Sequence, residues 1–127
     1  MAACTFFGPA DCPDPIRDQL KALIEDLILN HDVDTFYVGN EGLFDAMVRC
    51  VLWDLRKVYP HIQYHVVLAH GPSEASNPAD LSEAIIPDGI DKVPFAQAVE
   101  WRNLWMLRHS DWTIQKTSGK PPQLISL

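Results

Sequence analysis

Cysteine is scarce in this chain of 127 residues, and the three present, Cys4, Cys12 and Cys50, cannot all pair and show no CxxC spacing. A disulfide framework and a cysteine zinc cluster are therefore not expected, and a reducing cytosol is the simplest compartment. Positive charge is also in deficit. Ten Lys and Arg stand against seventeen Asp and Glu, giving a formal charge of -7. Such a chain repels a nucleic-acid backbone on average, so DNA or RNA is a disfavoured partner, while a local basic pocket for one small anion is still allowed. No stretch is apolar for long enough to span a bilayer, and MAACTFFG lacks the cationic segment and apolar run of a secretion signal. The expectation is a cytoplasmic protein without membrane contact. The five histidines, His31, His61, His65, His70 and His109, show no HExxH spacing and no accompanying carboxylate cluster. That argues against a metal site. There is no GxSxG elbow and no cysteine in an activating context, and no cofactor is expected.

Apolar residues are plentiful, at 47%. A chain of this length buries roughly two-thirds of its unfolded surface and fits one domain. Its patterning alternates between two periods. Ala3 to Phe7 is a compact apolar strand ended by Gly8-Pro9. From Asp14, a candidate N-cap followed by Pro15 at the first helical position, Ile16, Leu20, Leu23, Ile24, Leu27 and Ile28 recur at helical spacing to about Asn30. Thr35 to Val38 is a second strand, and Gly39-Asn40-Glu41-Gly42 turns into a second amphipathic helix that stops before Pro60. Tyr64 to Leu68 is a third strand. A long loop from Ala69 to Pro94 surrounds a short extended piece at Ala84 to Ile86. A third helix over about Phe95 to His109 leads to a strand at Trp112 to Gln115, a polar turn over Lys116 to Pro122, and a final strand at Leu124 to Leu127. Alternating strands and helices imply an α/β, Rossmann-like, mostly parallel sheet with helices on both faces. Ligands of such sheets sit at the carboxyl ends of the strands, here after Phe7, Val38, Leu68 and Gln115.

Those turns carry the candidate chemistry. Gly39, Asn40 and Gly42 form a glycine-bearing strand-to-helix turn whose amides can cradle an anion, or serve only as a turn. Asp45 can accept from a ribose hydroxyl or cap the helix dipole. Asp11 lies on the loop after the first strand. Arg102 offers a planar fork for phosphate or carboxylate, or pairs with a surface acid. Trp53, Trp101, Trp105 and Trp112 occupy helical or strand positions and are expected in the core rather than on a stacking platform.

The strings FFGPADCPDPIRDQL, VDTFYVGNEGLFDAMVRCVL, YPHIQYHVVLAHGP, IIPDGIDKVP and AVEWRNLWMLRHSDW together resemble the SLOG superfamily, in particular small members from Gram-positive bacteria and their phages. The superfamily includes DNA-processing protein A and the Lonely Guy cytokinin-activating enzymes, and the resemblance covers about the first 112 residues in order. It implies a Rossmann-like sheet that binds nucleotides or their derivatives. By position it places Gly8 and Asp11 on the first ligand loop, Gly39, Asn40, Gly42, Phe44 and Asp45 on the second, and Arg102 with Asn103 on the third helix. The Lonely Guy helix carries an Arg-Lys pair where this chain has Arg102-Asn103. Relatives usually have a His-Arg pair where it has Pro9-Ala10. They also carry a glycine-rich phosphate loop and a further helix before the last strand, and the Lonely Guy version adds a catalytic glutamate. Here Lys116 to Pro122 passes almost directly to Gln123-Leu124-Ile125-Ser126-Leu127.

Those departures favour a non-catalytic module that binds a nucleotide, an ADP-ribose-type molecule or a cyclic nucleotide signal. The alternatives are a nucleoside-monophosphate phosphoribohydrolase, with Arg102 as clamp and Glu41 or Asp45 as the substitute acid, and a degenerate domain used for protein association. A sheet face left uncovered by the absent helix makes a homo-oligomer the expected state.

Overall fold

The computed structural model describes residues 2–11, 15–40, 42–69, 84–117 and 119–127. Among these, six strands form one sheet in the order β4-β3-β2-β1-β5-β6. They are β1 (Ala2–Phe7), β2 (Val33–Val38), β3 (Gln63–Val67), β4 (Ala84–Ile85), β5 (Trp112–Gln115) and β6 (Gln123–Ser126). The first five run parallel and β6 runs antiparallel to β5. Among the described residues three helices accompany them, α1 (Arg17–Asn30), α2 (Gly42–Val58) and α3 (Ala98–Arg108), the last entered through short 3-10 turns at Ile90–Lys92 and Phe95–Gln97. The fold is a Rossmann-like α/β sheet.

Side-chain alternation along the strands sorts the helices onto the two faces. Cys4 and Phe6 of β1, Phe36 and Val38 of β2, Tyr64 and Val66 of β3 and Ile114 of β5 join one apolar cluster with Leu20, Ile24 and Leu27 of α1 and Val48, Leu52 and Leu55 of α2. Burying each of those large side chains contributes about 1.5–3 kcal/mol, which is why the helical-period stripe decides where α1 and α2 lie. Tyr37 points to the opposite face, where its ring meets Trp105 of α3 edge-on at 5.4 Å between centroids. Helices thus cover both faces.

The chain steps outward from β1 through β2 and β3 to β4, and α3 then carries it back to β5 on the other side of β1. That reversal creates a switch point between β1 and β5, at whose carboxyl ends the Lys116 amide donates to the Phe7 carbonyl at 2.8 Å.

Two details differ from the sequence reading. Helix α1 begins at Arg17, not at Asp14 or Pro15: the Leu20 amide donates to the Ile16 carbonyl at 2.9 Å, so Ile16 is the cap residue and Pro15 precedes the helix. Asp14 itself lies outside the described residues, as do Glu41, His70 and most of the long loop. The tryptophans are not core residues either. Trp53 is 43% exposed on α2, and Trp101, Trp105 and Trp112 are half-buried.

Candidate functional site at the strand ends

Gly39 follows the last residue of β2 and is buried. A Cβ placed on it would fall 2.8 Å from Asp45 Oδ2 and 3.2 Å from both Cζ and Nη1 of Arg102, so a carboxylate from the first turn of α2 and a guanidinium from α3 converge on one backbone position. Only the missing side chain lets them do so. On the carbonyl side, Arg49 Nη1 donates to Gly39 O at 3.2 Å.

Arg102 is 1% exposed, among the most deeply buried large side chains of the molecule. Its Nη1 donates to the Val67 carbonyl at 2.9 Å and to Asn40 Oδ1 at 3.4 Å, and its Nε donates to Asn103 Oδ1 at 3.0 Å. The guanidinium is the bolt between α3, the carboxyl end of β3 and the loop after β2. The sequence reading offered a phosphate clamp or a surface ion pair. The burial rules out the exposed surface pair and gives the residue an internal positioning role.

The two predicted loops also meet. Gly8 packs on the ring of Phe44 so closely that a Cβ would fall 2.3 Å from its Cγ, and Phe44 is fully buried. Gly42 has φ +87°, a left-handed conformation that favours glycine, and a Cβ there would lie 2.4 Å from Ala10 Cα. The Leu43 amide donates to the Ala10 carbonyl at 2.6 Å. The anion cradle expected at the start of α2 is therefore partly occupied by the chain itself, because the backbone of the first loop supplies the acceptor that a ligand would otherwise bring. Asp11 is exposed on that same loop.

Thus Gly39, Asn40, Asp45, Arg102 and Asn103 form one constellation, and Gly8, Gly42 and Phe44 form the seam beside it. Arg49 carries no signal in the sequence, whereas Lys116 belongs to the loop whose two lysines offer a phosphate contact or only a solvated turn. Arg49 lies a helical turn beyond Asp45 on α2. Lys116 is 4% exposed at the end of β5, where its Nζ donates to the Thr117 carbonyl at 2.7 Å. Its setting in a polar Lys-Thr-Ser-Gly-Lys run concealed its burial. An apolar recess of about 280 Å³ lies next to the constellation, lined by Ala69, Ile90, Val93, Phe95 and Ala98 among others. Ala98 is four residues before Arg102, hence one turn away on the same face of α3, and Ala69 is two residues beyond Val67.

Cys4, in the middle of β1, is fully buried, and desolvation pushes its thiol far above the ordinary cysteine range, only partly opposed by a backbone hydrogen bond at Ile114. It is no nucleophile at neutral pH. Among the described residues no cluster of His, Cys, Asp and Glu could hold a metal ion, and no helix is long and apolar enough to cross a membrane. Compared with known proteins, the chain matches no family model and no curated protein.

Proposed function

We propose that the chain is a non-catalytic, SLOG-like binding module for a nucleotide or nucleotide-derived signal, held at the carboxyl ends of β1, β2 and β3. The observation that carries this reading is the convergence of Asn40, Asp45 and Arg102 on Gly39, one helical turn from an apolar recess. A nucleotide has the same two-part character: a flat apolar base and a polar ribose with phosphate. The base fits against Val93 and Phe95, the latter 77% exposed. The ribose and phosphate then meet Asn40, Asp45 and the amides of the loop after β2. Arg102 acts chiefly by holding Asn40 and the end of β3 in place, and its charge reaches the ligand at short range through a buried, poorly screened environment.

Binding is favoured over turnover because the glycine-rich phosphate loop and the catalytic glutamate that the resemblance to the Lonely Guy enzymes would lead one to expect between the strand at Trp112 and the last strand have no counterpart in Lys116 to Pro122. Whether such a module senses its ligand or sequesters it depends on what it is coupled to.

The test is thermal unfolding against a panel of nucleoside monophosphates, ADP-ribose, NAD and cyclic dinucleotides, with the wild-type chain and with Asn40→Ala and Phe95→Ala. A compound at a hundred times its dissociation constant should stabilise by about 2.7 kcal/mol, a shift of several degrees in a domain of this size. The reading expects one class of compound to do this, both variants to weaken the shift, and the ligand to be recovered intact. Recovery of a free base would instead identify a phosphoribohydrolase.

A further inference from the structure

Among the described residues the sheet ends on one side at β6, which pairs only with β5. The register fixes which of its main-chain groups are used. The Leu127 amide donates to the Asp111 carbonyl at 2.9 Å, so Asp111 and Leu127 form a hydrogen-bonded pair one step beyond the Trp112↔Ser126 match. Bonded and non-bonded pairs alternate in an antiparallel ladder, and the bonded ones are therefore Thr113↔Ile125 and Gln115↔Gln123. Gln123, Ile125 and Leu127 turn their N–H and C=O groups toward β5. Leu124 and Ser126 turn theirs outward, and among the described residues no main-chain bond meets them there.

Proteins normally guard such an edge with charge, proline or a bulge. From Gln123 to Leu127 there is no charged residue and no proline, within a chain whose net charge is -7. Two acidic copies repel across much of their surfaces, and a strand without charged side chains lowers that cost where it is the surface of approach. The strand is also self-complementary. Set antiparallel to its own copy, Leu124 faces Ser126 of the partner subunit and exchanges both main-chain bonds with it, and the reverse pair does the same. Ile125 then falls opposite the partner's Ile125 as a non-bonded pair, with Cβ atoms about 4.5–5.5 Å apart. Ile125 is 37% exposed and Leu127 55%, so this arrangement covers two apolar side chains that the single chain leaves in water.

We propose that β6 is an interface between two copies of this chain, paired antiparallel about a twofold axis through Ile125 so that two six-stranded sheets join into one. The interface is isologous, as a closed dimer requires. It lies at a sheet edge and does not depend on any ligand at the Gly39 constellation.

The test measures mass in solution, by light scattering after size exclusion at about 100 micromolar, where a modest dimer is populated, together with amide hydrogen exchange. Two variants of the full chain are compared with the wild type. Ser126→Pro removes one outward N–H at an edge position that tolerates proline, and Ile125→Lys sets two cations against each other across the axis. The expected result is a wild-type mass near twice 14.3 kDa, a mass near 14.3 kDa for both variants with helix content unchanged by circular dichroism, and Leu124 and Ser126 amides that exchange at least roughly tenfold more slowly in the wild type than Leu124 does in Ser126→Pro. A monomeric wild type overturns the proposal. So does a dimer that survives both variants, or one whose Leu124 and Ser126 amides exchange freely, since the copies would then meet through another surface.

Discussion

Gly8 and Phe44 are in direct contact: a Cβ on the glycine would sit 2.3 Å from Cγ of the ring. The ring is fully buried in the cluster beneath α1 and α2 and has nowhere to retreat. Gly8→Ala should therefore destabilise the fold by about 1–3 kcal/mol, the usual cost of overpacking. In a Phe44→Leu background the same glycine substitution should cost measurably less, because the clash partner is smaller. Urea unfolding of the four proteins of this cycle reads the coupling, and a coupling of zero would show that the loop shifts instead of straining.

Gly42 and Gly119 share a positive φ, +87° and +77°, but differ in surroundings. Next to Gly42 the Ala10 backbone lies 2.4 Å from a built Cβ, whereas nothing stands within 4 Å of one at Gly119. Gly119→Ala should cost only the left-handed conformational penalty of roughly 1–2 kcal/mol. Gly42→Ala should cost more, and should also break the Leu43 to Ala10 bond. Equal unfolding midpoints for the two variants would contradict the packing of the first loop on α2.

Arg102→Met keeps much of the side-chain volume and removes every donor. The Val67 carbonyl, buried, then loses its partner, and an unsatisfied buried acceptor costs about 1–3 kcal/mol. The variant should unfold at lower urea than the wild type, and Arg102→Lys should lie between them because an ammonium cannot reproduce the fork that reaches Val67, Asn40 and Asn103. Wild-type stability in Arg102→Met would mean that the guanidinium holds nothing together.

Tyr59 Oη donates to Glu25 Oε2 at 2.8 Å, and this hydrogen bond, followed by desolvation and the carboxylate's charge, raises the phenol above its ordinary range. Because the folded chain holds the phenolic proton more tightly than the unfolded chain, the link between α1 and the end of α2 is fully present below pH 10 and weakens as pH rises beyond it. Ultraviolet titration should place one tyrosine transition of the wild type above that of Glu25→Gln, and Tyr59→Phe should remove it. Coincident titrations of wild type and Glu25→Gln would refute the link.

Much of this architecture is legible in the sequence because period and punctuation agree. The stripe Leu20, Ile24, Leu27, Ile28 forms the buried face of α1, and Gly39 to Gly42 marks the passage from β2 to α2. The start of α1 is not legible: the Asp-Pro pair that usually opens a helix precedes this one, and a hydrophobic residue, Ile16, provides the first carbonyl. The burial of Arg102 is hidden for a different reason. A helical arginine between Trp101 and Asn103 reads as an anion clamp or as an exposed ion pair, and its actual partners, the Val67 carbonyl and Asn40, come from strand ends far away in the chain. Lys116 is concealed likewise by its polar neighbours. What the sequence does mark, glycine by glycine, is where backbone must come close: Gly8 to Phe44, Gly39 to Asp45 and Arg102, Gly42 to Ala10.

The location of binding is tested most directly by titrating isotope-labelled protein with AMP and with ADP-ribose and following backbone amide shifts. The account predicts saturable shifts for at least one of them, concentrated at Gly8, Gly39, Asn40 and the Ile90 to Ala98 segment, with Asp32, Asp111 and the β6 amides unmoved. Shifts centred on Asp32 and Asp111 at the opposite strand ends, or none at millimolar ligand, would contradict it.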